Sequence, residues 1–435
     1  MCDAISTPQL RKVTARVAGD PLPKDDADRI DQLRQIESLK CALEARQARI
    51  TAEFDASQRQ KAADAGVAAD RRGRGIAHQV ALARRESPTR GSQHVGLAKL
   101  LRDEMPHTME AFRAGRITEW RAMVMARETA CLELEHRHLI DSALASDPAR
   151  LEQLSDRQVI AEVKKLAVRL DPAAVAKRRR RAEADRNVTL RPAPDTMAYL
   201  TALMPVKQAV ATWAALKATA DAAVATGRAT NRGQVMVDTL VGRITGRSAE
   251  DPAPVSVSVV LTDAALLDQA DDLARLLEWG PIPADLAREI VADALDHDTA
   301  VTLRRLFARP ETGGLVSMES RQRLFPEALA RFIRLRDEFC RHPWCNNRIR
   351  HIDHVRSHDA GGPTTAENGQ GLCEPCNHAK QAPGWRAGPA PGDLHAVEIV
   401  APTGHSYRST APPITDPAWS ITRLSWADLT AVSSV

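Results

Sequence analysis

The sequence predicts an α+β protein with a mainly helical N-terminal part, a few strands, and a small cysteine-rich domain near its C-terminal end. Hydrophobic residues make up 43% of the 435 positions but aromatic residues only 3%, and a chain rich in alanine, leucine and arginine favours helices. Strand signals occur at only a few places. Four of the seven cysteines fall between positions 340 and 376. A chain of this length is expected to form two or three compact units.

The first 75 residues are predicted to contain a disordered or loosely attached tail over 1–25 and one amphipathic helix over 27–54. Aliphatic residues recur in this helix at intervals of seven, at Ile36, Leu43 and Ile50. This spacing also occurs in coiled coils, but Arg46 and Gln47 interrupt the apolar seam. An ordinary amphipathic helix is therefore favoured over a coiled coil.

Residues 76–325 are predicted to form one mainly helical domain. Helix breaks are expected at 114–116, around Gly115, and at Asp171-Pro172. The second is expected because the residue before a proline disfavours helical geometry. The best strand candidates are NVTLRP (187–192) and VSVSVVL (255–261). The stretch PADLAREIVADAL has Pro283 at a suitable first helical turn.

The remaining chain is divided into a small domain over 326–386 and a C-terminal tail over 387–435. The proline- and glycine-rich stretch RAGPAPGD (386–393) is predicted to be a linker. The segment after it predicts a small hairpin that turns at Thr403-Gly404.

The formal net charge of +4 is too small for the whole surface to attract nucleic acid. Two basic runs are local exceptions, RRGRG (71–75) and KRRRR (177–181). Each run is either a solvated helix face or a nucleic-acid contact. The sequence contains no run of about 18 apolar residues, so no membrane span is expected. The N-terminal stretch lacks the central apolar block of a secretory signal. A cytoplasmic location is therefore expected.

The four clustered cysteines predict a structural zinc site. They form two short pairs, C-x4-C and C-x2-C, separated by 27 residues. Two such pairs can converge on one tetrahedral zinc ion. The predicted ligands are Cys340, Cys345, Cys373 and Cys376, although His342 or His378 could replace one of them. A site closed by four cysteines cannot hold a reactive water, so the zinc would stabilise a domain whose own core is marginal.

The loop between the cysteine pairs, HIDHVRSHDAGG (351–362), is where chemistry could occur. It contains three histidines and two aspartates in twelve residues. In an extended segment His351 and Asp353 share one face and His354 points to the other. The loop is either a polar surface hairpin or a reactive metal site. His358, near the Gly-Gly turn, is predicted to be a plain loop residue.

The order of motifs in this region resembles that of the HNH endonucleases. C-x4-C is followed by D-H, G-G-x-T, E-N and L-C-x-x-C-N-x-x-K, and the resemblance covers about residues 334–386. It implies a two-stranded hairpin packed on a helix with a metal ion between them, the ββα-metal fold. The preceding chain is similar to the helical domain of unknown function that is joined to HNH modules in actinobacterial proteins of the 13E12 repeat family. Segments such as RGSQHVGLAKLL, ITEWRAMVMARETACL and NRGQVMVDTLVGRITGR carry that similarity.

The resemblance implies roles for individual residues. His354 matches the general base that takes a proton from the attacking water. Asp353 matches a ligand for a divalent ion, Mg²⁺ or Mn²⁺. Asn368 matches the residue whose amide tethers the loop and orients the base. Asn377 stands where many family members have histidine, and we assign it as the second metal ligand through its amide oxygen.

The implied partner is DNA. Residues 331–386 carry nine Lys or Arg and six Asp or Glu, a balance of 9 − 6 = +3, so phosphate binding depends on where the cations lie. The predicted contacts are Arg348, Arg350, Arg356 and Lys380. His351 either contacts phosphate or the metal, or is a packed or solvated residue of the hairpin. No membrane partner is expected, and a homo-oligomer is possible but not indicated by the sequence.

Three hypotheses follow. The first is a metal-dependent endonuclease that hydrolyses phosphodiester bonds of DNA. The second is a zinc-stabilised DNA-binding or regulatory protein without catalysis. The third is a structural protein in which the helical domain acts and the HNH module is a remnant. The set Asp353, His354, Asn368 and Asn377 favours the first, because a binding module needs no such combination.

Overall fold

The computed structural model describes residues 5–247, parts of 259–296, residues 319–320 and residues 324–414. The described residues form two compact units, the first drawn from 1–66 and 93–178 and the second from 67–92 and 179–435. The predicted segments 1–75 and 76–325 each contribute to both units, because residues distant in sequence pack together.

The helices are numbered here in chain order. They are α1 (Thr7–Gly19), α2 (Asp26–Asp64), α3 (Ile76–Arg84), α4 (Pro88–Asp103), α5 (Pro106–Arg113), α6 (Glu119–Thr129), α7 (Leu134–Ala145), α8 (Pro148–Gln153), α9 (Asp156–Leu170), α10 (Pro172–Ala184), α11 (Val206–Ala225), α12 (Arg232–Thr245), α13 (Ala284–Asp296), α14 (Glu327–Asp337) and α15 (Glu374–Lys380). Among these helices, none combines the length and the apolar composition that crossing a bilayer requires.

The described strands are short. They are β1 (Asn187–Pro192), β2 (Ala198–Leu203), β3 (Val259–Val260), β4 (Ala274–Leu276), β5 (Gly280–Ile282), β6 (Glu319–Ser320), β7 (His351–His354), β8 (Thr364–Thr365), β9 (Gly369–Leu372), β10 (Arg386–Ala390), β11 (Ala396–Val400) and β12 (Ser406–Thr410). The predicted α+β class is confirmed, with helices dominating before residue 250 and small sheets after it.

The first unit is a helical bundle whose core includes residues of α2, α4, α5, α6, α7 and α9. Caps that satisfy free backbone N–H groups begin several of these helices. Ser155 accepts from the N–H of Gln158 at the start of α9, and Gln158 accepts in return from the N–H of Ser155. Leu101 and Phe112 have no exposed surface, and the burial of each contributes about 2–3 kcal/mol.

Helix α2 buries a different face from the predicted one. The aliphatic seam of Ile36, Leu43 and Ile50 is 42–56% exposed. The buried face consists of small residues, with Ala45 and Ala52 completely buried. Small side chains let two helix backbones approach closely, and α2 packs most extensively on α5 among the helices. The helix is also longer than predicted, since it continues to Asp64.

Part of the N-terminal tail is helical rather than disordered. Residues 7–19, within the stretch predicted to be disordered or loosely attached, form helix α1. Ser6 caps it by accepting from the N–H of Gln9, and Gln9 accepts from the N–H of Ser6. No residue of α1 is buried, so local capping and helix propensity account for the helix rather than core packing.

Several predicted element boundaries are confirmed. NVTLRP forms β1, which pairs antiparallel with β2. The predicted break at Asp171-Pro172 separates α9 from α10. Of the predicted strand 255–261, only Val259 and Val260 lie within the described residues, where they form β3.

The stretch predicted to be a linker is instead a strand. Residues 386–390 form β10, which pairs with β11, and β11 continues through the predicted turn at Thr403-Gly404 into β12. Pro389 is compatible with this sheet because β10 lies at its edge, where a missing N–H costs no ladder hydrogen bond. Val397 and Ile399 of β11 form a buried cluster with Val355. The C-terminal sheet therefore packs on the cysteine-rich region.

Candidate active site and metal centre

The four clustered cysteines lie together as predicted from their spacing. All four are buried, and their sulfur atoms lie within 4.8 Å of one another. The Cys345 and Cys373 sulfurs are 3.7 Å apart, as are those of Cys345 and Cys376. A zinc ion with four sulfur ligands at about 2.3 Å requires sulfur separations of about 3.8 Å. The quartet thus has the dimensions of a closed tetrahedral zinc site.

The two histidines considered as alternative ligands lie outside this quartet. His342 is buried, but its ring lies edge-on to His78, with ring centroids 5.3 Å apart, and 6.1 Å from Trp385. His378 is exposed. Burial lowers the pKa of His342 and of His78 to about 4, so both rings are neutral at pH 7.

A side chain that the sequence analysis missed supports the zinc quartet. The amide of Asn347 donates to the sulfur of Cys373 over 3.7 Å. Hydrogen bonds with the three other thiols lower the pKa of Cys373, which favours its thiolate. The only signal in the sequence was the position of Asn347 two residues after Cys345, since polar side chains near metal ligands often orient them.

Helix α3 explains part of the first basic run. Gly75, the last residue of RRGRG, precedes α3 with φ of 80°, and a Cβ there would lie 2.5 Å from Trp385 Nε1. His78, in the first turn of the helix, contacts His342. The glycine thus allows α3 to approach the zinc region closely, and this run has a structural role as well as a charge.

The candidate base lies on the hairpin between the cysteine pairs. β7 and β9 are antiparallel, with His354 opposite Gly369 and Asp353 opposite Gln370. His354 is 7% exposed, and its ring lies 4.6 Å from that of Phe325. Its Nε2 atom is 2.9 Å from the hydroxyl oxygen of Thr364. Two neighbours therefore determine the orientation of the imidazole.

His358 is closer to this centre than its prediction as a plain loop residue implies. It is exposed and lies in a short 3-10 turn. Its ring centroid is 5.5 Å from that of His354. The turn brings it back over the end of β7, so its position is a consequence of the loop geometry.

Asn368 ties the two ends of the loop together. Its side-chain oxygen accepts from the N–H of Arg356 at 2.9 Å, and its amide donates to the carbonyls of Arg356 and Pro363 at 3.1 and 2.7 Å. Its own N–H donates to Thr365 Oγ1. A Cβ at Gly362 would overlap the Arg356 carbonyl oxygen, so only glycine allows this close crossing. The clamp fixes Pro363, and hence Thr364, beside His354.

The oxygen ligands predicted for a divalent ion come from β7 and α15. Asp353 accepts from the ammonium of Lys380 at 2.5 Å, and that ammonium also donates to the His354 carbonyl. Asn377 is three residues before Lys380 and so lies on the same face of α15. Its side-chain oxygen is buried and makes no hydrogen bond with the described residues. A carboxylate beside a helix that presents a buried, unpartnered amide oxygen fits a hard divalent cation.

A buried network of charges supports the strand opposite the base. Arg336 donates to the carbonyls of Ala366 and Gly369, and Asp337 accepts from the N–H of Gly371 at 2.7 Å. Arg336 also donates to Asp337 at 2.8 Å. Sequence reasoning missed this pair, since an Arg-Asp dipeptide before a cysteine carries no distinctive spacing. The network holds the turn that carries Asn368.

The predicted phosphate contacts differ in their surroundings. Four of them are exposed: Arg348, Arg350, His351 and Arg356. Lys380 is half-buried and paired with Asp353. A cavity of about 270 Å³ lies elsewhere, between α14 and the C-terminal sheet, and its lining includes Phe332, His395 and Ile414. None of the predicted site residues lines it.

Comparison with known protein families divides the chain just before the first cysteine of the quartet, Cys340. The model of a domain of unknown function (DUF222) matches residues 30–337, which is most of the chain. The model of HNH endonucleases matches residues 340–382. Searches of the curated proteins and of the solved structures gave no significant match. The architecture expected from the sequence, a helical domain of unknown function followed by an HNH domain, is confirmed.

Proposed function

Because the chain belongs to the DUF222 family and carries a C-terminal HNH endonuclease domain, we propose that it is a metal-dependent endonuclease that hydrolyses phosphodiester bonds of DNA. The observation that carries this proposal is the arrangement around β7. A positioned imidazole at His354 adjoins a carboxylate at Asp353, and the unpartnered amide oxygen of Asn377 lies on the helix that contacts this carboxylate.

His354 acts in this proposal as the general base. Nε2 of His354 and the hydroxyl oxygen of Thr364 are 2.9 Å apart, and we propose that Nε2–H donates to this hydroxyl, which would put the lone pair of the imidazole on Nδ1. Nδ1 takes a proton from the water that attacks phosphorus. Phe325 and the Asn368 clamp restrict movement of the ring and of Thr364. Holding a base in one tautomer and one orientation reduces the entropy that is lost on reaching the transition state.

Asp353 and Asn377 would hold Mg²⁺ or Mn²⁺. When bound, such an ion neutralises charge on the phosphate and on the departing 3′ oxygen. Lys380 pairs with the Asp353 carboxylate and is proposed also to contact the phosphate. The exposed Arg348, Arg350, His351 and Arg356 are proposed to contact the DNA backbone. Contacts of that kind carry no sequence information.

A zinc-stabilised DNA-binding protein without catalysis is the competing reading. The cysteine quartet and the exposed arginines would suit it equally well. The hydrogen bond from His354 to Thr364 and the unpartnered oxygen of Asn377 have no part in closing the zinc site. These two features support the endonuclease.

The full chain is expected to cut supercoiled plasmid DNA when Mg²⁺ or Mn²⁺ is added, and not without added divalent ions. Asp353→Ala should remove cleavage and also weaken Mn²⁺ binding measured by electron paramagnetic resonance, because one ionic ligand is removed. Its zinc content should equal that of the unchanged protein. Absence of cleavage with every divalent ion and substrate tested would reject the proposal.

Replacing Thr364 with valine should lower kcat for cleavage about 10- to 100-fold, the usual effect of losing a partner that orients a functional side chain. Valine has a similar shape but cannot accept a hydrogen bond. Thr364→Ser retains the hydroxyl and should keep activity within a few-fold. KM for the DNA should change little in both variants. If valine and serine behave alike, the Thr364 hydroxyl does not position the base.

A further inference from the structure

The strongest charge concentration outside the HNH domain lies on α10 and the strand that follows it. Residues 177–191 contain seven Lys or Arg and two Asp or Glu, a balance of 7 − 2 = +5, which exceeds the +4 of the entire chain. The remaining residues are thus slightly acidic in sum. The charge of this segment is a local feature and not a reflection of composition.

Helix α10 is anchored at its N-terminal half. The N–H of Ala174 donates to the side chain of Asp171, and Val175 packs against the helical core. Arg178 donates to the carbonyl of Glu128 at 3.0 Å. From Arg179 onward, every residue through Arg191 is exposed. A fixed helix therefore presents its basic half to solvent.

Most of these cations have no internal partner. Arg179 lies 3.8 Å from Glu183, but both side chains are largely exposed, and such pairs contribute little. Within the described part of the chain, no ion pair involves Lys177, Arg180 or Arg181. Like charges spaced three and four residues apart on a helix repel each other. The helix dipole favours a cation in the last turn, but it does not account for five in succession.

The chemistry of these side chains points to phosphate. Arginine presents a planar fork of donors that matches phosphate oxygens, and four of the five residues in the run are arginines. Arg191 stacks on the ring of Tyr199 at 4.5 Å, which holds a further guanidinium on the same exposed segment. A row of guanidinium groups on a helix, most of them exposed, is complementary to a nucleic-acid backbone.

We propose that residues 177–191 form a second nucleic-acid contact that binds the phosphate backbone of duplex DNA independently of the HNH site. The proposal goes beyond cleavage and needs only DNA as the partner. It supplies affinity without base recognition, because the groups involved meet phosphates. It also gives the DUF222 domain a role in holding substrate.

The test compares two variants of the full chain, each lacking three exposed helical cations. The first is R179Q/R180Q/R181Q. The control is R11Q/K12Q/R16Q on α1, a helix without buried residues. Both are made in the H354A background and measured without added divalent ions, by fluorescence anisotropy of a labelled 30-base-pair duplex between 50 and 200 mM salt. Circular dichroism should show unchanged folding in both.

The α10 variant should lower the slope of log K against log salt by about 2.7, because each phosphate that the protein no longer neutralises lowers the slope by about 0.9. Over this fourfold salt range the affinity of the unchanged protein should then fall about 40-fold more than that of the variant. The α1 control should retain the slope. Equal slopes in all three proteins, or equally reduced slopes in both variants, would overturn the proposal.

Vesicle binding and DNA cleavage are measured as well, to distinguish this inference from membrane binding and from the endonuclease proposal. If the α10 substitutions abolish binding to vesicles with one third phosphatidylserine and leave duplex binding unchanged, the segment binds an anionic membrane and the proposal is wrong. Cleavage is measured separately, on the chain that retains His354. If that chain does not cut DNA but the α10 substitutions still change the slope, only the endonuclease proposal is rejected. If it cuts DNA and the α10 substitutions leave the slope unchanged, only this inference is rejected.

Discussion

Substitution of His354 by alanine is expected to reduce plasmid cleavage about 10³-fold, within the range that general bases usually contribute. The imidazole is the only basic group on β7 that is oriented by a side-chain hydrogen bond, from Nε2 to Thr364. Alanine cannot accept the proton of the attacking water. The measurement is the rate of conversion of supercoiled plasmid to nicked or linear DNA in Mg²⁺ and Mn²⁺.

His358→Ala is the matched control, because its ring is a second imidazole close to His354, with ring centroids 5.5 Å apart. It should change the rate by no more than a few-fold. The zinc content of both variants should match that of the unchanged protein, since neither histidine belongs to the cysteine quartet. If His354→Ala cuts at the normal rate, or His358→Ala is equally inactive, the assignment of the base is wrong.

Cys376→Ser is expected to abolish zinc binding and unfold the HNH domain. Cys376 is completely buried among three other sulfurs. The small core around it consists of the four cysteines and Leu372, so we expect zinc binding to supply much of the folding free energy of this region, about 10–16 kcal/mol at structural sites of this kind. We expect one zinc per unchanged chain by elemental analysis, and none in the variant.

Hydrogen exchange followed by mass spectrometry localises the effect. Residues 340–382 should lose protection in Cys376→Ser, whereas the helical core around Phe112 should keep it. Cys131→Ser, on the margin of that helical core, should leave zinc bound and the HNH domain protected. His342→Ala should also retain zinc, because His342 faces His78 and Trp385. Zinc bound in Cys376→Ser at the normal ratio would contradict the four-cysteine site.

Much of the candidate site could be predicted because its signals are local. The cysteine pairs are short, so each pair is fixed by a few backbone angles and its spacing is readable. Asp353 and His354 are adjacent on one strand, and strand alternation separates their directions. Asn368 lies in a turn whose residues follow each other in the chain. For these residues the sequence neighbours are also the structural neighbours.

The partners of these residues were not predictable in the same way. Thr364 belonged to the G-G-x-T motif, but its contact with His354 depends on how Asn368 clamps the loop. Asn347, Arg336 and Asp337 act across strands or knuckles that only packing brings together. Hydrogen bonds between distant residues have no period and no fixed spacing.

The fold shows the same division. Helix breaks at Asp171-Pro172 and the strand 187–192 follow from backbone restrictions of individual residues. The buried face of α2 does not, because its exposed aliphatic seam has the stronger periodic signal and its buried face is made of small residues, half of them alanines. The 386–390 strand was missed because proline and glycine usually mark loops, and only its place at a sheet edge makes them acceptable.

The sequence by itself determined which residue types could carry the proposed chemistry: four cysteines in two pairs, an aspartate next to a histidine on a strand, and two asparagines at set distances along the chain. Tertiary structure decided which histidine is oriented, which side chain lies beside it, and that the second basic run is exposed from Arg179 onward. The reason is physical. Ligand type and local spacing are properties of the covalent chain, whereas orientation, burial and exposure arise only when distant segments exclude water from one another.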